Sequence, residues 1–294
     1  MKPKKTYTSK KGKYQTDSGR TVHKDKKRQK ERLLVIVLSS IALLLMVMIA
    51  VMLSMVKAQK KFEDLSAMVQ ESETKGTVAN PGETAEEMEE ATTMPALTEP
   101  QMLQKYAALY ERNPDLYGWL KIEGTKIDYP VMYTPEEPEK YLHTDFDNQY
   151  SFGGVPFLEG TCTPESDNLI IYGHNMADGT IFRDLIQYEK KAFWEQHPVI
   201  VFDTLYEEQE FEVVAAFYDR VYYKSENVFK FYQFIDAEDQ ADFDYAIKQF
   251  KEKSIYDTGV EVSYGDQLIT LVTCAYHVDN GRFVVVARRS GTEG

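Results

Sequence analysis

Cysteine is almost missing from this chain: 294 residues hold only two, Cys162 and Cys274. Two thiols cannot build a disulfide framework, and with no CxxC pair and no Cys/His cluster at ligand spacing a structural zinc site is excluded. A single bridge between the two stays open. A thiol left unpaired outside the cell is exposed to oxidation, so one that persists there usually has a use. An excess of positive charge is also missing, since the formal net charge is −13. Phosphate backbones would be repelled by most of the chain, which argues against nucleic acid as a partner. No internal repeat is visible.

The charge is unevenly divided. Residues 1–32 hold thirteen Lys/Arg against three acidic residues, a net of +10, which leaves −23 for the remainder. Leu33 to Val56 follows as an unbroken apolar run whose only polar interruptions are Ser39, Ser40 and Ser54. A helix of that length rises roughly 36 Å, enough to cross a hydrocarbon core of about 30 Å. A buried helix of a soluble protein would keep one polar face, and this segment has none. A cleaved signal peptide would be shorter and end in a small-x-small site. The expected arrangement is a transmembrane signal-anchor helix over 33–56 preceded by a basic cytoplasmic tail. The dense Lys/Arg before the run, against Lys57, Lys60 and Lys61 after it, places the N-terminus in the cytoplasm and the rest outside. Residues 57–100 then read as an acidic flexible stalk: a short helix is expected over 57–75, and 76–99 combine Gly, Pro, Thr and acidic residues without aromatics.

From about Gln101 aromatic residues become dense and apolar blocks short, so residues 101–294 form the folded extracytoplasmic domain. Gln101–Arg112 has helical spacing of Leu103, Tyr106, Ala107 and Tyr110, and Asn113-Pro114 ends it. Strands are expected at Gly118–Ile122, Lys126–Met132, Val155–Leu158, Asn168–Gly173, Val199–Thr204, Glu210–Tyr218, Gln267–Thr273 and Arg282–Arg288. A short helix is expected around Ile181–Tyr188 and a longer one over Ala237–Lys253. Many short strands with turns between them point to a mainly β fold, a closed or nearly closed barrel decorated by helices.

Cys274 closes the apolar strand 268–273, where a thiol is held rigidly yet reaches solvent. A polar turn, 275–281, leads to Arg282 and the next strand, so an antiparallel pairing brings Cys274 and Arg282 to one rim. A guanidinium there can donate to a developing oxyanion or a substrate carbonyl. A nucleophilic thiol needs a proton acceptor, and a leaving amine a donor. His23 lies in the basic tail, and His143 and His197 read as surface or packing residues. His174 ends the apolar strand 169–172 on a rim, and His277, three residues from Cys274, is its rival.

Thr270-Leu271-Val272-Thr273-Cys274 resembles the nucleophile motif of sortases, the cysteine transpeptidases of Gram-positive cell surfaces. Tyr172-Gly173-His174-Asn175-Met176, continuing through Asp178-Gly179 and Phe182-Arg183-Asp184-Leu185, is similar to the histidine motif of class B members. Gly281-Arg282 matches the arginine position. Asn113-Pro114-Asp115, Gly118-Trp119-Leu120-Lys121-Ile122, Ile127-Asp128-Tyr129-Pro130-Val131 and Ser254-Ile255-Tyr256-Asp257-Thr258-Gly259 also resemble class B. The likeness spans residues 101–289. It implies an eight-stranded sortase-type β-barrel with an N-terminal helix and a long helix before the nucleophile strand. It further implies Cys274 as nucleophile, His174 as general acid/base, Arg282 as the substrate-positioning and oxyanion-stabilising group, and Thr273 and Val272 as substrate-binding positions. His277 and Cys162 receive no role. The chain departs from the family at Val272, where class B often has Ser, and at Ala275, where an acidic residue sometimes stands, so no triad carboxylate is assigned. The implied reaction cleaves a C-terminal sorting motif of surface proteins through a thioester and passes the acyl group to the amine of a cell-wall peptide precursor or a pilin, with no cofactor. Two other classes use the same features differently: a non-catalytic peptide-binding module, and a cysteine endopeptidase.

Overall fold

The computed structural model describes residues 18–78 and 101–291. The chain divides into two units, residues 1–56 and 57–294. Most of the basic tail and the second half of the expected stalk, 79–100, lie outside the described residues.

In the first unit the described chain is helical, as the N-terminal part of α1 (Ser18–Val78). Every side chain from Leu33 to Ser54 is exposed. Among the described residues α1 is the one helix long and apolar enough to cross a membrane. Its few hydroxyls are satisfied within the helix: Ser39 and Ser40 donate to the Ile36 carbonyl and Ser54 to that of Val51, at 2.7–2.9 Å. Such back-bonding lets a polar group sit in an apolar span without an unmet donor.

The second unit is a closed barrel of eight strands: β1 (Leu116–Lys121), β2 (Asp128–Met132), β3 (Phe157–Leu158), β4 (Asn168–Tyr172), β5 (Val199–Thr204), β6 (Glu210–Arg220), β7 (Leu268–Cys274) and β8 (Gly281–Arg289). They are joined in the order β1-β2-β3-β4-β7-β8-β6-β5, with β5 closing on β1. The helices are α2 (Gln104–Arg112), α3 (Lys191–Trp194) and α4 (Gln240–Lys253), the N-terminal and pre-nucleophile helices of the expected plan being α2 and α4. The helix expected at 181–188 is a 3-10 segment, Asp184–Glu189.

The unbroken apolar runs of β7 and β8 have a simple cause. Alternate residues point to opposite faces of a strand, and here both faces are covered. Ile269, Leu271, Phe283, Val285 and Ala287 join the barrel core. Leu268, Val272, Val284 and Val286 join a second core with Phe243, Ala246, Ile247 and Phe250 of α4. Those α4 residues fall at i, i+3, i+4 and i+7, one stripe of a helix whose N-terminus is capped by Asp239 accepting from the Asp242 N–H at 3.0 Å. Strands covered on both sides read as continuous hydrophobic blocks rather than alternating ones.

The expected stalk needs correction at its start. Residues 57–74 of α1 are packed onto the barrel: Phe62, Leu65 and Val69 are buried in the main core. Phe62 meets the Tyr129 ring edge-on at 4.9 Å, Ser66 donates to Asp128 at 2.6 Å, and Lys61 pairs with Asp145 at 2.7 Å. Burying three such side chains is worth about 1.5–3 kcal/mol each at most, so this segment belongs to the folded domain.

Candidate active site

The strand register assembles the site. β7 and β8 pair antiparallel with Cys274 opposite Arg282. β4 and β7 pair parallel with Tyr172 opposite Val272. His174 stands two residues beyond Tyr172, and Cys274 two beyond Val272, so both emerge at the same end of neighbouring parallel strands. The turn between β7 and β8 is closed by Ala275 N–H donating to the Gly281 carbonyl at 3.0 Å. Any side chain at Gly281 would put its Cβ 2.2 Å from the Ala275 carbonyl oxygen, so this close crossing requires glycine. Asn280, just before it, takes the left-handed conformation (φ 57°) that Asn tolerates.

His174, Cys274 and Arg282 line one cleft of about 370 Å³. Its walls are largely apolar, from Leu142, Phe157, Tyr172, Val221, Phe231, Tyr232 and Val272, with Glu139 and Glu159 as its carboxylates. Few polar groups converging in an apolar cleft is the usual form of a small-ligand or peptide site. Cys274 is half-buried. The Arg282 guanidinium donates from one nitrogen, Nη1, to the Gly281 carbonyl at 3.0 Å, and among the described residues no ion pair holds it, so its remaining donors are uncommitted.

The His174 ring is held by a segment that precedes it by thirty-two residues. Its Nε2 lies 3.1 Å from the Leu142 carbonyl oxygen, which can only accept, so Nε2 carries a proton and the neutral ring keeps its lone pair on Nδ1. His143 stacks on it at 5.4 Å. Burial pushes the His174 pKa below the ordinary histidine value; the Leu142 carbonyl pulls it back up, and His143 adds to the lowering. Neither the Leu142 carbonyl nor the His143 stack was legible in sequence, because a backbone acceptor has no residue signature and His143 reads as a surface histidine.

Of the two proposed neighbours of the nucleophile, Val272 is buried in the cleft wall and Thr273 commits its hydroxyl to the Gly173 carbonyl at 2.7 Å. Asn175 donates from Nδ2 to the Cys274 carbonyl at 2.8 Å, and its Oδ1 accepts from Arg183 at 3.1 Å. The rival His277 is exposed and meets the Tyr218 ring at 4.8 Å in a tilted arrangement, outside the cleft lining. His197 sits against Phe193 at 4.3 Å with Nδ1 on the Glu123 carbonyl. Cys162 is free and buried, with no bridge to Cys274. Among the described residues no group of three His, Cys, Asp or Glu side chains is arranged to hold a metal ion.

The chain is similar to known proteins over most of its folded part. The sortase domain family matches residues 120–290. Sortase B of Listeria monocytogenes is 35% identical over 183 residues, covering 60% of this chain and 70% of the relative. Sortase B of Staphylococcus aureus is 31% identical over 188 residues, covering 63% and 74%. The solved Staphylococcus aureus sortase B–substrate complex superposes with a TM-score of 0.65 at 26% identity, covering 81% of this chain and 98% of that one. The sortase model matches more than half of the chain, and the curated relatives and the superposed structure are sortases B: the chain belongs to the sortases, the cysteine transpeptidases, and within them to class B.

Proposed function

We propose that the protein is a membrane-anchored transpeptidase that cleaves a sorting motif near the C-terminus of surface proteins and transfers the acyl part to an amine, with Cys274 as nucleophile, His174 as general acid/base and Arg282 as the oxyanion and substrate-positioning group. The observation that carries this reading is the convergence of the three side chains in one cleft at the ends of β4, β7 and β8.

In the first half-reaction the Cys274 thiolate attacks a backbone carbonyl carbon and the C–N bond breaks. The His174 imidazolium gives a proton, at Nδ1, to the leaving amine, and a thioester remains on Sγ. The Arg282 guanidinium donates to the carbonyl oxygen as negative charge develops there. In the second half-reaction a neutral amine attacks the thioester carbon, the imidazole takes up its proton, and the C–S bond breaks to release the thiolate. Val272 and Thr273 border the nucleophile and contribute to the peptide-binding wall. The apolar span 33–56 anchors the enzyme with its N-terminus in the cytoplasm and residues from 57 onward outside. An anchor shared with membrane-bound substrate raises their effective concentration. The acceptor amine belongs to a cell-wall peptide precursor or to a pilin.

The test uses the full-length protein in lipid nanodiscs with a panel of quenched fluorescent sorting peptides and an added amine. Amine-linked product that rises with amine concentration and vanishes with Cys274→Ala supports the reading. Hydrolysed product alone, at a rate indifferent to amine, makes the protein an endopeptidase instead.

A further inference from the structure

The sheet ladder between β4 and β7 ends at the Gly173 N–H, which donates to the Val272 carbonyl at 3.1 Å. Beyond it the two chains part, one into the His174 loop and the other into the β7–β8 turn. Two side chains continue the join across the gap. Thr273 Oγ1 donates to the Gly173 carbonyl at 2.7 Å, and Asn175 Nδ2 donates to the Cys274 carbonyl at 2.8 Å. The end of β7 and the His174 loop thus each supply one side chain to the other's backbone, on either side of His174 and at Cys274 itself.

The Asn175 amide is oriented from behind. Arg183 can only donate, and its Nη1 lies 3.1 Å from Asn175 Oδ1, so the NH2 end must face Cys274. The loop carrying both residues is closed by the Phe182 N–H donating to the His174 carbonyl at 2.9 Å and by a bridge between Asn175 and Ile181. Ile181 is held at φ 55°, a conformation β-branched residues avoid, and its N–H donates to the Tyr129 hydroxyl at 3.0 Å. Strain of that kind persists only where surrounding contacts fix the backbone. On the other side of the nucleophile, the Gly281 carbonyl accepts from both the Ala275 N–H and the Arg282 guanidinium, each at 3.0 Å. One hydrogen-bonded chain therefore runs Arg183–Asn175–Cys274 carbonyl and resumes from Ala275 N–H through Gly281 to Arg282.

We infer that Asn175 is a positioning residue for the acyl transfer: it fixes the separation of the His174 loop from Cys274, and Arg183 holds it in the donating orientation. The inference rests on the proposed roles of Cys274 and His174. A misplacement of about 1 Å between reacting groups costs on the order of 100-fold in rate, whereas the peptide-binding wall of the cleft does not include Asn175.

The experiment compares full-length wild type with Asn175→Ala, Asn175→Asp, Arg183→Ala and His174→Ala in nanodiscs. Asn175→Asp keeps the shape but has no donor for the Cys274 carbonyl. Two readouts are taken: the pH profile of Cys274 alkylation by iodoacetamide, which needs no substrate, and kcat and KM for amine transfer. The expected result is an alkylation profile for both Asn175 variants displaced toward that of His174→Ala. Alongside it kcat falls on the order of 10–100-fold with KM within about twofold, and Arg183→Ala shifts both in the same direction by less. Melting temperature is followed so that an unfolded Asn175→Ala is replaced in the comparison by the isosteric Asn175→Asp. Profiles and kcat of Asn175→Asp that superimpose on wild type overturn the inference. Absence of amine transfer by the wild-type enzyme would count against the proposed reaction, while the alkylation profiles still decide the role of Asn175.

Discussion

The two cysteines of this protein sit in opposite surroundings. Cys162 is buried with its thiol directed at the Asn168 carbonyl at 3.6 Å, and burial pushes its pKa up to about 12. Cys274 is the last residue of β7, half-buried at the wall of an open cleft beside an arginine with uncommitted donors. Both side chains have the same chemistry. Placement within the barrel decides which thiol is shielded and which meets a substrate, and the strand end is the placement that combines rigidity with access.

The sharpest way to break that contrast is to remove each thiol in turn. Cys274→Ala is expected to lower amine transfer by roughly 10⁴-fold or more, and Cys162→Ala to leave kcat within about twofold of wild type; equal losses would erase the distinction. Next in size, His174→Ala should cost on the order of 10²–10⁴-fold in kcat, while His277→Ala, whose ring lies on Tyr218, should change little. A larger loss at His277 would transfer the acid/base role to the turn. Arg282→Lys keeps the charge but not the planar fork, and about a 10²–10³-fold loss of kcat is expected if its donors meet the oxyanion.

Away from the cleft, Leu65, on the helical segment that follows the apolar span, is fully buried in the barrel core. Leu65→Ala should destabilise the domain by about 2–5 kcal/mol in chemical denaturation, and truncation that removes residues 57–74 should be worse; an unchanged midpoint would return this segment to a mere spacer. The smallest effect concerns pH. Because burial lowers the His174 pKa, the unfolded chain takes up the proton more readily than the folded one. Stability is therefore full above about pH 6.5 and declines as pH falls through that value toward the folded pKa. His174→Gln should flatten this part of the melting-temperature profile, and a steeper slope would contradict the direction of the shift.

What could be read from the chain follows the range of the interactions. Cys274 and Arg282 are eight residues apart across one hairpin, so apolar blocks and an intervening polar turn were enough to place them opposite each other. The apolar blocks of β7 and β8 marked strands and 237–253 marked a helix, whereas the covering of both strand faces is visible only in the packing. His174 was suggested by its position after an apolar strand and singled out by resemblance, since its strand neighbours β7 only through a connection of about a hundred residues. The acceptor on its ring is a backbone carbonyl, invisible in any residue pattern. Phe62, Leu65 and Val69 have helical spacing, but Lys60 and Lys61 before them and Glu63 and Asp64 between them disguise the stripe. Its burial depends on Tyr129 and Asp128 of a distant strand.

The central claim is that the acyl group is carried by Cys274. The most direct test incubates the full-length enzyme with the sorting-peptide panel without amine, quenches in acid, and maps adducts by mass spectrometry. The account predicts an acyl mass on the Cys274 peptide that is released by hydroxylamine and disappears when an amine is supplied. Peptide cleavage with that residue unmodified, or cleavage that persists in Cys274→Ala, would contradict it.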